Sequence, residues 1–513
     1  MINRAMPLSL HFHALAICGA LIAPSAYAGD WRGTTGLQLS ETYTDNIGRQ
    51  SAGQKRGDFA TEVSPYLSYA GRGARTSGSL DARLQNWLHS DSQTSNRTGL
   101  QLSAIGSVEA YEDHLFIDSS LSNDRQQISQ FRAADANYGG TSNSTEVTRF
   151  SLSPYLRWRL GSATDAGLRY RYEKVQSEAS FATGQTESLS LDLRNGSAFG
   201  RLGWAFNATH NDTERQSAEA ASTNSYNGTL TYAVTPTLVT SLTGGQEFTD
   251  FEGGDRQHYW NWGGGLQWQP DERTTISAQT SKRFFGRGFN YQFSHRFQRS
   301  AIEWSYSRDL NVVSSAGDLN SPATQSRAKQ ALIAEMAALA SSIPDPSARL
   351  IVALEHLQAQ GISAYDLMQL DYLSGQSSID KNMRLAWVMY GVRNSLTLSI
   401  FRSERQAISQ TRIVQLSDDL STHDHVKNRG WDVSWTHNLS ALTTAGLHYG
   451  YGDISGETTT GQLTSSHTST VGLNLNTKLA PFTTGGVAYN HTRSKGSAEY
   501  RENAVTVQLN HQF

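Results

Sequence analysis

Phe59-Ala60-Thr61-Glu62-Val63-Ser64-Pro65-Tyr66-Leu67-Ser68-Tyr69 is the stretch on which the fold turns. Phe59, Thr61, Val63, Pro65, Leu67 and Tyr69 share one face of an extended strand, and Ala60, Glu62, Ser64, Tyr66 and Ser68 share the other. One side suits lipid and the other suits water. That is the pattern of a strand that crosses a membrane as part of a barrel.

The same period of two recurs along the chain. Phe150, Leu152, Pro154, Leu156, Trp158 and Leu160 oppose Ser151, Ser153, Tyr155, Arg157 and Arg159, while Leu168, Tyr170 and Tyr172 oppose Arg169, Arg171 and Glu173. Trp260, Trp262, Leu266 and Trp268 form one face of a later stretch, and Trp431, Val433 and Trp435 form one face of another. Such tryptophans supply interfacial girdles. About 22 stretches of this kind fit between residue 34 and the C-terminus. The expected fold is all-β, a large transmembrane antiparallel β-barrel of about 20–22 strands with one helical insertion.

Composition agrees. Only 37% of the 513 residues are hydrophobic, yet 10% are aromatic, with 44 Gly and 10 Pro. A spanning helix needs about 18 or more apolar residues in a row. Outside the N-terminus the sequence holds no such run.

Residues 1–28 read as a signal peptide, with Arg4, an apolar stretch from Ala14 to Ala23, and a small-x-small end at Ala26-Tyr27-Ala28. Cleavage after Ala28 leaves 29–513 as the barrel and removes Cys18, the only cysteine. Disulfides and thiolate-bound metals are then excluded. It also takes one of the 43 Lys and Arg and none of the 46 Asp and Glu, for a formal charge of -4. No nucleic-acid partner is implied. The expected location is the outer membrane of a Gram-negative bacterium, with its lipid and the barrel assembly machinery as partners.

Linker lengths alternate as such a barrel requires. Long linkers at Asp45–Gly57, Asn123–Thr145, Lys174–Gln185 and Gln406–His425 follow odd strands. Short ones at Gly71–Arg75, Leu160–Asp165, Thr235–Thr237, Pro270–Arg273 and Asn438–Leu442 follow even strands. Even strand number keeps both termini periplasmic and the long loops extracellular. Val505, Val507, Leu509, His511 and Phe513 end the chain as an alternating strand with a terminal aromatic, like the signal read by the assembly machinery. One segment departs from the pattern: residues 324–375 contain two helical stretches, Thr324–Ser341 and Pro346–Ala359, stopped by Gly361.

Three blocks carry more specific wording: Leu39–Ile47 (LSETYTDNI), Thr61–Gly73 (TEVSPYLSYAGRG) and Gly391–Gln406 (GVRNSLTLSIFRSERQ). They resemble the PEP-CTERM system-associated outer-membrane β-barrel protein family. The resemblance implies a barrel found with exosortase protein sorting and exopolysaccharide biosynthesis, with no catalytic residues to carry over. Exopolysaccharide or sorted surface proteins are the partners it implies.

Charged side chains on the expected lumen face are Arg83, Arg157, Arg159, Arg169, Arg171, Arg201, Asp81, Glu173 and Asp192. They would make a selectivity lining for anionic sugars, or simply the mixed ladder that any water-facing wall needs. His423-Asp424-His425 is a close imidazole pair, but a solvated loop beside Asp418 and Asp419 accounts for it without a metal. Asp45-Asn46 and Asp250–Asp255 lack the spacing of a calcium loop. No cofactor, metal or catalytic constellation is expected.

The function expected is a non-enzymatic barrel for export, anchoring or assembly in that sorting and exopolysaccharide system. A general diffusion porin is the alternative, and an outer-membrane hydrolase a minor one. A TonB-dependent transporter would share the strand number but needs a plug domain, and only Gly29–Gly33 precedes the first expected strand.

Overall fold

The computed structural model describes residues 30–513 apart from 92, 137, 140, 162, 196–199, 217–219, 251–256, 312–373, 409–417 and 459–460. The signal peptide, residues 251–255 of the calcium candidate, and the insert up to residue 373 lie outside the described residues.

Alternation makes strands. The first six are β1 (Asp30–Thr44), β2 (Asp58–Arg72), β3 (Thr76–His89), β4 (Arg97–Tyr111), β5 (Leu115–Gln127) and β6 (Ser144–Leu160). Next come β7 (Thr164–Ser177), β8 (Gly184–Asn195), β9 (Leu202–Arg215), β10 (Ala221–Thr235), β11 (Leu238–Thr249) and β12 (Gln257–Asp271). They are followed by β13 (Thr274–Arg283), β14 (Gly286–Arg296), β15 (Ser300–Asn311), β16 (Ser378–Tyr390) and β17 (Asn394–Ala407). The last are β18 (His423–Asn438), β19 (Thr443–Thr458), β20 (Leu463–Ala480), β21 (Thr483–Gly496) and β22 (Tyr500–Gln512). Each pairs antiparallel with the next, and β22 pairs with β1, which closes a 22-stranded barrel. Closure satisfies every strand edge from within, the condition for sheet in hydrocarbon.

The outer face is apolar. Phe59, Leu67, Leu242, Trp262, Leu473 and Val507 are all exposed there. Tyr43, Trp260, Trp262 and Trp431 lie toward the long-loop end, while Trp268, Phe297, Tyr390 and Phe482 lie toward the short-turn end. These are the two aromatic girdles of a membrane barrel.

The seam between β1 and β22 depends on a glycine. A Cβ on Gly36 would collide with the Tyr66 ring and the His511 carbonyl oxygen. Tyr66 crosses over that glycine from β2 and donates its hydroxyl to Asn510 on β22 at 2.9 Å. At the same seam the N–H of Phe513 donates to Thr35 O at 2.8 Å.

Candidate functional site

Side chains opposite the apolar face point into the lumen, and cross-strand register places eight of the nine predicted lining residues there. Arg83 lies 5.9 Å from the Tyr66 ring, and Asp81 accepts from Ser68 Oγ at 2.7 Å. On the wall of β5 to β8, Phe116 stacks on Tyr155 at 5.1 Å, and the Arg169 guanidinium lies 3.9 Å over the Tyr155 ring. Arg169 also donates to Asp118 at 3.1 Å and to Ser153 at 2.9 Å. Arg157 covers Phe116 at 5.7 Å.

Arg159 pairs with Asp165 at 3.1 Å, Arg171 with Glu173 at 3.8 Å, and Asp192 accepts from Asn207 at 2.8 Å. Arg201 is the exception. It precedes β9, exposed in the short turn between β8 and β9, because the strand starts one residue later, at Leu202. The predicted lining falls on the β3 and β5–β8 arc, and the far wall carries ion pairs of its own that the sequence reading missed, Arg283 with Glu247 at 2.7 Å and Arg405 with Asp380 at 3.2 Å.

At the long-loop end, loops contact one another across the mouth. The loop after β5, residues 128–143, is organised by Asn143, whose amide donates to Ser129 O at 2.8 Å and Ala133 O at 3.1 Å. Its Oδ1 accepts Ser129 N–H at 3.0 Å. The loop then reaches across the mouth. Ser129 Oγ donates to Asp419 at 2.7 Å, Gln130 N–H donates to the other oxygen of Asp419 at 2.8 Å, and Phe131 stacks on His423 at 4.5 Å.

Asp419 opens a one-turn helix, Asp419–Thr422, capped by Asp418. Asp418 accepts Leu420 N–H at 3.0 Å and Gly375 N–H at 2.8 Å, so it also holds the chain entering β16. Gly375 in turn packs directly against the Phe181 carbonyl, too closely for any Cβ. Arg215 donates to Gly375 O at 3.5 Å and to Ser377 Oγ. Loops from β5 and β15 therefore meet at the carboxylate pair of the β17 loop, with the β7 loop packed behind Gly375. Asp418 and Asp419 are buried, at 1% and 5% exposure, rather than solvated as expected from their polar surroundings.

A second tie lies on the β22 side. Arg49, in the loop after β1, donates to Glu502 at 2.8 Å and to Ala134 O at 2.8 Å. Tyr138 donates to the same Glu502, which also accepts from Thr44 at 2.8 Å.

Burial pushes the Asp418 carboxyl up to about 6, with Asp419 adding repulsion, although the N–H groups of Gly375 and Leu420 and the Ser374 hydroxyl pull the other way. Burial likewise raises Asp419, against the pull of Ser129, Gln130, His423 and Arg132. Burial and the Glu502 charge raise the Tyr138 phenol well above its usual range, so it stays a donor.

His423 and His425 do not form a facing pair. A register shift separates them at the start of β18; His423 is buried on Phe131, while His425 is half-buried near Glu457 at 4.0 Å. Among the described residues no group of three or more His, Cys, Asp or Glu is placed to hold a metal. Nor does any helix among them have the length and apolar character to cross a membrane.

These features define an outer-membrane β-barrel of the Gram-negative type, with 22 strands and loops tied to one another across the mouth. Two solved barrels share the architecture. The FrpB iron transporter from Neisseria meningitidis (F5-1 variant, apoprotein form) aligns with a TM-score of 0.51 and 10% identity over 94% of this chain and 81% of that one. Its F3-3 variant aligns at 0.50 and 10% over 97% and 83%. At that identity the likeness is one of fold. A family model described as "Putative MetA-pathway of phenol degradation" matches residues 170–298, from β7 into the turn after β14. No curated protein matches the chain.

Proposed function

We propose that this chain is a non-enzymatic outer-membrane channel, closed at rest by its folded-in loops and serving the exopolysaccharide and PEP-CTERM sorting system that its sequence blocks resemble. The observation that carries the channel reading is the pair of ties across the mouth, Ser129 and Gln130 to Asp419, and Arg49 and Tyr138 to Glu502. A loop held by a few polar contacts above a charged lumen is a gate that a partner or a change of protonation can release. The system served rests on the three blocks alone.

Two experiments test it. Purified protein in a planar bilayer should show mostly closed current with brief openings, and the Asp419→Ala variant should stay open longer. Identical open times would sink the gate. In cells, deletion of residues 324–373, which leaves Ser374 and Gly375 to meet Asp418, should lower surface polymer or sorted-protein display while the barrel still assembles. Unchanged display removes the assignment to that system.

A second reading is a channel for small aromatic acids or phenols. The family match over residues 170–298 and the Phe116–Tyr155–Arg169 wall favour it. Benzoate that blocks current at concentrations where acidic oligosaccharides do not would select this reading.

A further inference from the structure

The outer surface carries a charge pattern that neither channel reading uses. Four cross-strand positions near the long-loop end place like charges directly opposite each other: Lys282 and Arg287, Arg308 and Lys381, Arg402 and Arg429, Arg493 and Arg501. Directly opposed like charges destabilise a sheet. All four pairs project outward. Arg493 has the parity of exposed Val487 and Tyr489, Arg501 that of Val505 and Val507, Arg402 that of Ile400, and Arg429 that of Trp431. Lys282 faces Trp262 across the β12–β13 ladder, and Lys381 shares the parity of exposed Met389.

The protein's own carboxylates compensate only part of this charge. Arg429 is held by Asp453 at 2.6 Å, an acid that His467 also contacts at 2.9 Å. Arg308 donates to the carbonyl of Phe285 at 3.4 Å. Arg402, Arg493 and Arg501 are exposed and make no ion pair among the described residues. In the paired registers of β13–β22, the eight cations of these pairs with Lys427 and Lys495 stand against Glu404, Asp453 and Glu457. The opposite arc has the reverse balance, with Glu41, Glu187 and Glu214 facing out beside Lys174.

Height matters as much as sign. Arg493 is ten residues above Thr483 on β21, which at about 3.3 Å per residue and a tilt of about 40° is about 25 Å. That is the height of a barrel's apolar band. The cations thus stand at the polar border of the extracellular leaflet, Lys282 level with Trp262, and Arg308 and Arg429 two residues above Tyr306 and Trp431. In an outer membrane, an anion bound there must be carried by a lipid whose acyl chains lie on the apolar wall below.

We infer that the outward arc from β13 to β22 is a binding surface for the bisphosphorylated glycolipid of the outer leaflet, whose phosphates bridge the opposed pairs. Bridging converts four repulsive contacts into charge-assisted hydrogen bonds, for which arginine's planar fork is suited. A phosphate diester such as phosphatidylglycerol brings one charge per head group, whereas two phosphates on one sugar backbone can engage neighbouring pairs at once.

The test uses the full purified chain in detergent with three probes: a bisphosphorylated lipid A, the same glycolipid with both phosphates removed, and phosphatidylglycerol, followed by native mass spectrometry and by titration at low and high salt. The bisphosphorylated form should bind at least about tenfold more tightly than either of the others, with a steep loss in salt. The Arg402→Gln/Arg493→Gln/Arg501→Gln variant should lose at least about tenfold of that affinity. Folding is checked by heat-modifiable migration on gels, and Arg493→Gln/Arg501→Gln replaces the triple variant if that fails. Equal binding of the dephosphorylated form, equal binding of phosphatidylglycerol, or an unchanged affinity in the folded variant overturns the assignment. Channel current should not change in these variants, so the two readings fail independently.

Discussion

Ser129 donates its hydroxyl to Asp419 at 2.7 Å although 290 residues separate them. Ser129 follows β5 and Asp419 precedes β18; passing back through β1 and β22, these strands are nine steps apart in a ring of 22. The bond is therefore close to a diameter of the mouth. A loop that only decorated the rim would find partners on neighbouring strands, so this contact is what makes the loop a closure.

Asp419→Ala is expected to release that closure. It strands the Ser129 hydroxyl and the Gln130 N–H, both drawn inside the mouth, at a cost of about 1–3 kcal/mol. The open-to-closed ratio in single-channel records should rise by about 5- to 100-fold, while heat-modifiable migration stays that of the folded barrel. A ratio within twofold of wild type would mean that the loop is held elsewhere.

Closure should also depend on pH through Asp418. The docked mouth raises this carboxyl from its ordinary 3.8 to about 6, so docking binds the proton more tightly than the released loop does. For a raised acid, the stabilisation is complete below the free value and is lost as pH rises through the docked value. Open probability should therefore climb between pH 4 and pH 6 and level off above. Asp418→Asn, which cannot ionise, should flatten the profile over that window, and a variant that keeps the full climb would assign it to another group.

Much of this architecture was legible in the sequence. Alternation marks the strands because each crosses between lipid and water, and the expected count of about 20–22 agrees with the 22 observed. Loop parity follows from the same constraint. The contacts across the mouth were not legible. Asp418 and Asp419 look like solvated loop residues until Gly375, Ser129 and Gln130 are brought to them by closure of the ring, and no local pattern reports such distant partners. The lumen ladder was half legible: parity placed Arg169 inside, but only register brings it to Asp118 and puts its guanidinium over Tyr155.

Tyr138→Phe tests the second tie with the least disturbance. It removes one hydroxyl from Glu502 and leaves the Arg49 and Thr44 contacts to that carboxylate in place. Loss of a hydrogen bond to a charged acceptor costs about 1.5–3 kcal/mol. Open time should lengthen by about 10- to 100-fold, and combination with Asp419→Ala should be nearly additive, since the two ties share no residue. Strong non-additivity would show that the loop moves as one piece with a single latch.

Arg169 is held over Tyr155 and bonded to Asp118 and Ser153. Replacement by Gln leaves Asp118 without its arginine, exchanging a fixed positive charge for an uncompensated negative one. Reversal potentials under a salt gradient should shift toward cation selectivity in Arg169→Gln, and Arg169→Lys should restore part of the change. If Arg169→Gln leaves the reversal potential unchanged, ions do not pass along the β5–β8 wall.

Barrel closure itself should fail at Gly36. The Tyr66 ring occupies the space that a side chain would need, and the His511 carbonyl blocks the remaining direction, so Gly36→Val must displace either the ring or the β1–β22 ladder. Displacing the ring loses the bond to Asn510, and displacing the ladder opens two strand edges to lipid, where each unpaired backbone group costs several kcal/mol. The folded, heat-modifiable fraction should fall sharply in refolding trials. Tyr66→Ala, which vacates that space, should rescue Gly36→Val in part, because the remaining clash is with backbone alone. Full folding of Gly36→Val by itself would show that the seam tolerates another register, and absence of any rescue would place the obstruction at His511 rather than at Tyr66.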